Sequence, residues 1–258
     1  MVDDRRIVGI IPAAGKAKRL LPLPIPKELF PIGYQDFVID GVVHKRPKVI
    51  SQYVVESMVA AGATRLVFVL GEGKHQIVEY YGGGTRFGVE IVYCYQERLT
   101  GMPGALAIAR SLTDGQLVLF GMPDTIFEPA ASYQELIRAH RERRCDLTLG
   151  LFPTQYPQKF GMVDFAEDGT IRRIVDKPAE SDLAYMWGVA VWEDRFSDLL
   201  CAYVERHRGS ERELLLGDVF SEAVASGLVV RAHPFREGAY RDIGTAEELD
   251  ETLRRYHS

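Results

Sequence analysis

The apolar run Ile7–Ile11 leads directly into Pro12-Ala13-Ala14-Gly15-Lys16-Ala17-Lys18-Arg19-Leu20, and Pro26-Lys27 follows shortly after. This junction constrains the fold more than any other stretch. Ala13, Ala14 and Gly15 keep side chains out of the way, so backbone N–H groups can approach an anion closely. Lys16, Lys18, Arg19 and Lys27 then supply positive charge where phosphates would lie. A strand that ends in small residues and cations is how many α/β proteins hold nucleotides. Two familiar loops are excluded. The dinucleotide fingerprint needs three spaced glycines and only Gly15 is present, and the G-x-x-x-x-G-K-[ST] loop is absent.

The rest of the first half alternates strand and helix. Ile50–Ala61 has apolar residues at helical spacing with Gly62 as a C-cap, and Arg65–Leu70 is a continuous apolar strand. Lys74–Tyr81 reads as a helix, Glu90–Gln96 as a strand, Gly104–Leu112 as a helix and Gln116–Gly121 as a strand. Near-continuous apolar strands between helices predict a three-layer α/β fold: a Rossmann-like, mostly parallel sheet with helices on both faces. The second half predicts a helix near Pro129–Arg144, a strand at Asp146–Phe152, a hairpin of Gly161–Phe165 with Ile171–Val175, and a strand at Tyr185–Trp192. Helices follow near Phe196–Arg208 and Val219–Ser226, and Thr245-Ala246-Glu247-Glu248 is a capping box opening the last helix. These elements predict a smaller mixed sheet beside the first. No linker separates the halves, so residues 1–258 are expected to form one domain, with its halves at about 1–125 and 126–258.

Composition removes several classes of function. A net charge of −5 gives no global field for nucleic acid. The run Ile7–Ile11 is too short for a signal-peptide core, and no stretch approaches a membrane span. Cys94, Cys145 and Cys201 lie scattered in apolar segments, which reads as reduced thiols in a cytoplasmic protein. The six histidines form no cluster and no Ser/His/Asp set is evident, so hydrolase chemistry has little support.

The N-terminal loop resembles the signature of the sugar-phosphate nucleotidyltransferases: a short strand, then A/G-G-x-G-T-R-L, then P-K. Gly15, Arg19, Leu20, Pro26 and Lys27 match, whereas Ala17 stands at a usual Gly and Lys18 at a usual Thr. The resemblance continues in the family's order through Tyr95-Gln96, Gly101–Leu106, the strand leading to Asp124, Phe160–Val163, Val175–Pro178, Trp187-Gly188 and Arg241–Thr245. The resemblance is closest to the thymidylyl- and uridylyltransferases, and the β-helix of larger members is not expected after Thr245. Against that pattern Tyr34–Lys48 is an insertion, expected to be a surface hairpin turning at Asp40-Gly41.

The resemblance implies transfer of a nucleotidyl group from an NTP, dTTP or UTP favoured, to a sugar 1-phosphate, with release of pyrophosphate. It implies that Ala13, Ala14, Gly15 and Lys18 cradle the nucleotide, that Gln96 reads the base edge and that Gly104 allows its close approach. Arg19 would neutralise the β,γ-phosphates and Lys27 would bind the α-phosphate. Gly161, Asp176, Lys177 and Trp187 would hold the sugar phosphate, although Asp176 replaces the usual Glu and Trp187 a small polar residue. Asp124 and Asp242, each expected at a strand end, would hold Mg²⁺; taken singly, each could equally be a turn former or a helix cap. Lys18 is expected to point into the site, and Ala17 to be strained if its position needs positive φ. A homo-oligomer is compatible with this reading. Two alternatives stay open: a cytidylyltransferase acting on another phosphorylated alcohol, and a catalytically silent nucleotide-sugar-binding homologue.

Overall fold

The computed structural model describes residues 5–210 and 212–256. The strand β1 (Ile7–Ala13) is followed by a hairpin of β2 (Pro31–Ile39) and β3 (Val42–Val49), then α1 (Ile50–Ala60), β4 (Ala63–Leu70), α2 (His75–Tyr81) and β5 (Glu90–Tyr95). Next come α3 (Met102–Ile108), β6 (Leu117–Phe120), β7 (Thr125–Glu128), α4 (Ser132–Glu142), β8 (Leu147–Pro153), β9 (Gly161–Phe165), β10 (Ile171–Asp176) and β11 (Tyr185–Trp192). The chain closes with α5 (Asp194–Arg206), α6 (Leu216–Ala225), β12 (Val230–Pro234), β13 (Ala239–Asp242) and α7 (Ala246–Tyr256).

Nine strands form one sheet in the order β10-β9-β11-β6-β1-β4-β5, with β8 on β11 and β12 on β8. Within it, β6, β1, β4 and β5 are all parallel. Strands β9, β10 and β11 pair antiparallel, and so do β11 with β6 and β11 with β8. The strand order reverses at β1, whose neighbours β4 and β6 leave in opposite directions along the sheet. Open α/β sheets bind ligands beyond the C-terminal ends of the strands at such a reversal. The small-residue loop after β1 and the segment after β6 both lie there. The smaller sheets are two antiparallel ribbons, β13 with β7 and β2 with β3. The β2–β3 hairpin turns at Asp40 and Gly41 with φ of 51° and 77°, the doubly left-handed turn that suits a twisted two-residue hairpin.

Alternation within the central strands builds two cores. Val8 and Ile10 of β1, Val67 and Val69 of β4, and Val118 and Phe120 of β6 face one side. Residues of α3, α5 and α6, such as Leu106, Phe196 and Phe220, cover them. Ile11, Leu66, Phe68, Leu117 and Leu119 face the other side, under α1, α2 and α4 through Val54, Ile77 and Leu136. Each fully buried side chain of this kind contributes roughly 1.5–3 kcal/mol of transfer free energy. A third, small cluster of Ile32, Ile50, Ile126 and Ile243 ties β13 and the start of α7 to the first half.

Two sequence expectations need correction. Asp124 does not end its strand: β6 stops at Phe120, and Asp124 lies in the segment that turns into β7. Strand β12 was not expected, because its run Val230–Pro234 is short and carries Arg231 and His233, yet it pairs in parallel with β8.

Candidate active site

Three clefts meet at the C-terminal end of the parallel strands. The first, about 240 Å³, is lined by Ala14 and Gly15 from the loop after β1, by Gln96, by Gly101 and Ala105 around α3, and by Lys27. A second, about 450 Å³, runs along the loop itself and shares Gly15 and Lys27 with the first, adding Lys16, Glu72, Lys74 and His75. A third, about 240 Å³, opens on the other side of Asp124, which lines both it and the first. Its charged lining is Arg19, Asp124, Lys159, Asp176, Lys177, Glu213 and Asp242.

Lys27 and Asp124 stand where the clefts join. Lys27 opens a short 3-10 turn held by Pro26, and its Nζ donates to Asp124 Oδ2. Burial disfavours the Lys27 charge, but the attraction of Asp124, with lesser help from Glu28 and Asp242, raises its pKa above the ordinary lysine value. The next residue, Glu28, is 1% exposed and accepts two hydrogen bonds from Lys74 Nζ, at 2.7 and 2.8 Å. Burial raises the Glu28 carboxyl above the usual range, against the pull of Lys74. The two partners of this turn thus come from opposite flanks of β1, Asp124 from beyond β6 and Lys74 from beyond β4.

Asp242 reaches the same place from the end of the chain. Asp242 pairs with Thr125 in the β13–β7 ribbon, and the Ile243 N–H donates to the Asp124 carbonyl at 3.1 Å. Burial, then the charges of Glu248 and Asp124, push the Asp242 carboxyl up to about 6. Thr245 and Glu248 form the expected cap of α7: Thr245 Oγ1 accepts from the Glu248 N–H at 3.3 Å, and Glu248 reaches back to the Gly244 N–H at 3.0 Å. A Cβ on Gly244 would stand 2.6 Å from Arg19 Nη2 and 3.2 Å from an Asp242 oxygen. Only the absence of that carbon lets the guanidinium lie there.

The other expected site residues divide. Ala14, Gly15, Lys27 and Gln96 line the first cleft, and Arg19, Gly161, Asp176, Lys177 and Trp187 line the third. Asp124 joins the two. Arg19 therefore lies on the far side of Asp124 from the loop's own cleft. Ala13 is buried in the core at 1% exposure, and Lys18 is exposed and outside these walls. Gly104 is buried inside α3, where Thr100 Oγ1 fills the space a Cβ would need, and its neighbours Met102 and Ala105 line the cleft instead. Ala17 has φ of +48°, so the strain expected of a non-glycine residue is present.

Sequence reasoning missed Lys159 and Lys74. Lys159 lines the third cleft and donates to Glu248 at 2.6 Å, a bond that raises its pKa despite some burial. Lys159 is not marked by its neighbours in the chain. Lys74, set among Gly71, Glu72 and Gly73, carries the only local hint, a glycine-rich turn at a strand end.

A model of the nucleotidyl transferase family matches residues 8–258. The chain belongs to that family. Agl11 of Haloferax volcanii, a low-salt glycan biosynthesis nucleotidyltransferase, is 25% identical over 93% of the chain and 63% of its own length. The chain thus spans less than two thirds of Agl11. AglF of the same organism, a UTP–glucose-1-phosphate uridylyltransferase, is 26% identical over 96% of the chain and 95% of its own. A Bacillus anthracis protein described as a glucose-1-phosphate thymidylyltransferase has the same fold, with a TM-score of 0.82 at 21% identity, over 98% of this chain and 96% of that one. No helix among the described residues of this family member is long and apolar enough to cross a membrane.

Proposed function

We propose that this chain transfers a nucleotidyl group from dTTP or UTP to a sugar 1-phosphate, releasing pyrophosphate. The observation that carries this reading is the continuity of the clefts through Lys27 and Asp124. A nucleotide on one side and a phosphorylated acceptor on the other would meet at that pair. An acceptor phosphate oxygen attacks the α-phosphorus, the bond from that phosphorus to the bridging oxygen breaks, and pyrophosphate leaves. Positioning and charge neutralisation suffice for such a step.

The roles follow from position. Gln96 offers both a donor and an acceptor to a pyrimidine edge in the first cleft. The loop at Gly15 and Lys16, with Lys74, faces the cleft suited to the leaving pyrophosphate. Lys27 exchanges Asp124 for the α-phosphate when substrate binds. Arg19 and Lys177 hold the acceptor phosphate, and Asp176 takes a sugar hydroxyl. Residues 1–125 and 126–258 act as nucleotide and sugar halves of one catalytic unit, and the nucleotide substrates and free cysteines suit the cytoplasm.

Mg²⁺ fits Asp124 and Asp242. Both are hard oxygen donors on one cleft, and the charge of Asp124 helps push the Asp242 carboxyl up, a repulsion that a divalent cation relieves. No group of three or more His, Cys, Asp or Glu stands ready for a metal among the described residues, so phosphate oxygens and water would complete the shell, as this ion prefers. When bound, it neutralises phosphate charge. Pyrophosphate release, measured across NTP and sugar 1-phosphate pairs with Mg²⁺, tests the reading. Release with a uridine or thymidine triphosphate and a hexose phosphate supports it. Release only with CTP and a non-sugar acceptor, or nucleotide binding without turnover, replaces it.

A further inference from the structure

We propose that Glu213 accepts the ribose 2′-hydroxyl of the nucleotide, so that the donor is a ribonucleotide, UTP rather than dTTP. This rests on the transferase reading above and deepens it. Glu213 lines both the first and the third cleft, a position it shares with Met102, Met122 and Asp124. It is exposed, and its carboxylate has no hydrogen bond or ion pair among the described residues. A carboxylate with no partner of its own, set at the junction of two clefts, can take a donor from the molecule that lies there.

Elimination identifies that donor. Five side chains of the first cleft carry a charge or an amide: Lys27, Glu28, Gln96, Asp124 and Glu213. On the transferase reading Gln96 has the base edge, and Lys27 and Asp124 have the α-phosphate and its cation. Both Glu28 oxygens are taken by Lys74 Nζ. A nucleotide with its base at Gln96 and its α-phosphate at Asp124 spans the distance between them with its ribose. Glu213 is the one carboxylate of that cleft left for the ribose, whereas the hydroxyls of the acceptor sugar have Asp176 in the third cleft.

The backbone sets Glu213 beside Gln96. The Leu214 N–H donates to the Thr100 carbonyl at 3.2 Å, and Gly101 and Leu214 form an isolated parallel bridge. Gly101 has φ of 94°, and a Cβ there would stand 2.2 Å from the Leu214 carbonyl oxygen and 3.1 Å from Glu213 Cγ. Only glycine lets the segment dock so closely. The Gln96 amide N–H reaches the Gly101 carbonyl at 3.5 Å. The turn Thr100-Gly101 therefore positions both the base reader and the ribose acceptor. An acidic side chain takes the ribose 2′-hydroxyl in dinucleotide-binding α/β folds as well. A hydroxyl donating to a carboxylate is worth about 10- to 100-fold in affinity, and the exposure of Glu213 puts it at the lower end.

The test measures pyrophosphate release with glucose 1-phosphate, Mg²⁺ and UTP, dUTP or dTTP; UTP and dUTP differ only in the 2′-hydroxyl. UTP should exceed both deoxynucleotides in kcat/KM by about 10-fold, and Glu213→Ala should bring each ratio to about 3-fold or less by weakening UTP alone. The loss should fall on the KM for UTP and leave kcat nearly unchanged. Glu213→Gln, which keeps an acceptor oxygen without the charge, should fall between. Calorimetric titration of the three nucleotides with Mg²⁺ and no acceptor should rank their Kd values in the same way. A deoxynucleotide equal to UTP overturns the proposal, as do ratios that Glu213→Ala leaves unchanged. A variant that slows all three alike and reorders the preference among sugar 1-phosphates puts Glu213 on the acceptor and overturns it too. Pyrophosphate from no pair overturns the transferase reading itself, while a calorimetric preference for UTP that disappears in Glu213→Ala still upholds the ribose contact.

Discussion

Lys27 donates to Asp124 across 97 positions of sequence, at the point where two clefts meet. Lys27 comes from the turn that follows β1, and Asp124 from beyond the neighbouring strand β6. The turn that carries Lys27 is set by Pro26, and Asp124 is set by the return from β6 into β7. Lys27 is thus held at the junction by a carboxylate that a phosphate can replace.

Removing that cation should affect turnover more than folding. Lys27→Met is expected to lower kcat for pyrophosphate release by at least ~10²-fold, the usual scale for losing one electrostatic element at a reacting phosphate. Asp124→Asn should lower it comparably. Melting temperatures measured on the same preparations should move by only a few degrees, because both side chains remain partly exposed at 15%. Turnover within a factor of a few of wild type in both variants would remove the pair from the mechanism.

The neighbouring pair behaves differently because it is buried. Glu28 and Lys74 have side chains 2% and 7% exposed. Removing one partner strands the other charge in the interior, which costs about 3–5 kcal/mol. A chain of roughly this size loses about 2–4 °C per kcal/mol, so Glu28→Gln or Lys74→Met should each lower Tm by about 10 °C. The double variant should recover more than half of the loss. Additive losses in calorimetry would show that the two charges are not coupled.

Local signals made much of this arrangement legible. The apolar strand, small residues and cations at Ile7–Lys27 are contiguous, so both the parallel sheet and the loop beside it could be read. The Asp40-Gly41 turn and the Thr245–Glu248 cap are likewise local chemistry. What could not be read depends on distant partners. Lys159 looks like any surface lysine until Glu248, 89 positions away, holds it at the cleft. Arg19 reads as part of the phosphate loop but lies across Asp124, because Gly244 leaves room for it there. Lys18 sits between two residues that line clefts, yet the left-handed turn at Ala17 leaves it exposed.

Ala17 itself yields a prediction. An L-residue in the left-handed region costs roughly 1–2 kcal/mol that glycine does not pay. Glycine also adds freedom to the unfolded chain, which offsets part of the gain. Ala17→Gly should therefore raise stability by about 0.5–1 kcal/mol, or about 1–4 °C in Tm. An unchanged or lower Tm would mean that the loop relaxes around alanine without strain.

Asp242 should give stability a pH dependence whose sign follows from its burial. Its carboxyl is raised from 3.8 to about 6, because burial and the charges of Glu248 and Asp124 disfavour the anion. The folded chain therefore binds this proton more tightly than the unfolded chain. That contribution to stability is fully present below 3.8, the unfolded value, and is lost as pH rises through about 6. Asp242→Asn keeps the shape and removes the ionisation. Measured without divalent cations, the variant should match the wild type near pH 4 and exceed it by several degrees in Tm near pH 8, at roughly 2–4 °C per kcal/mol. Adding Mg²⁺ at pH 8 should stabilise the wild type and not the variant, since only the wild type offers both carboxylates. A Tm difference that is flat from pH 4 to 8 would mean that Asp242 ionises normally in the fold. A Mg²⁺ response equal in both proteins would take Asp242 out of the metal site.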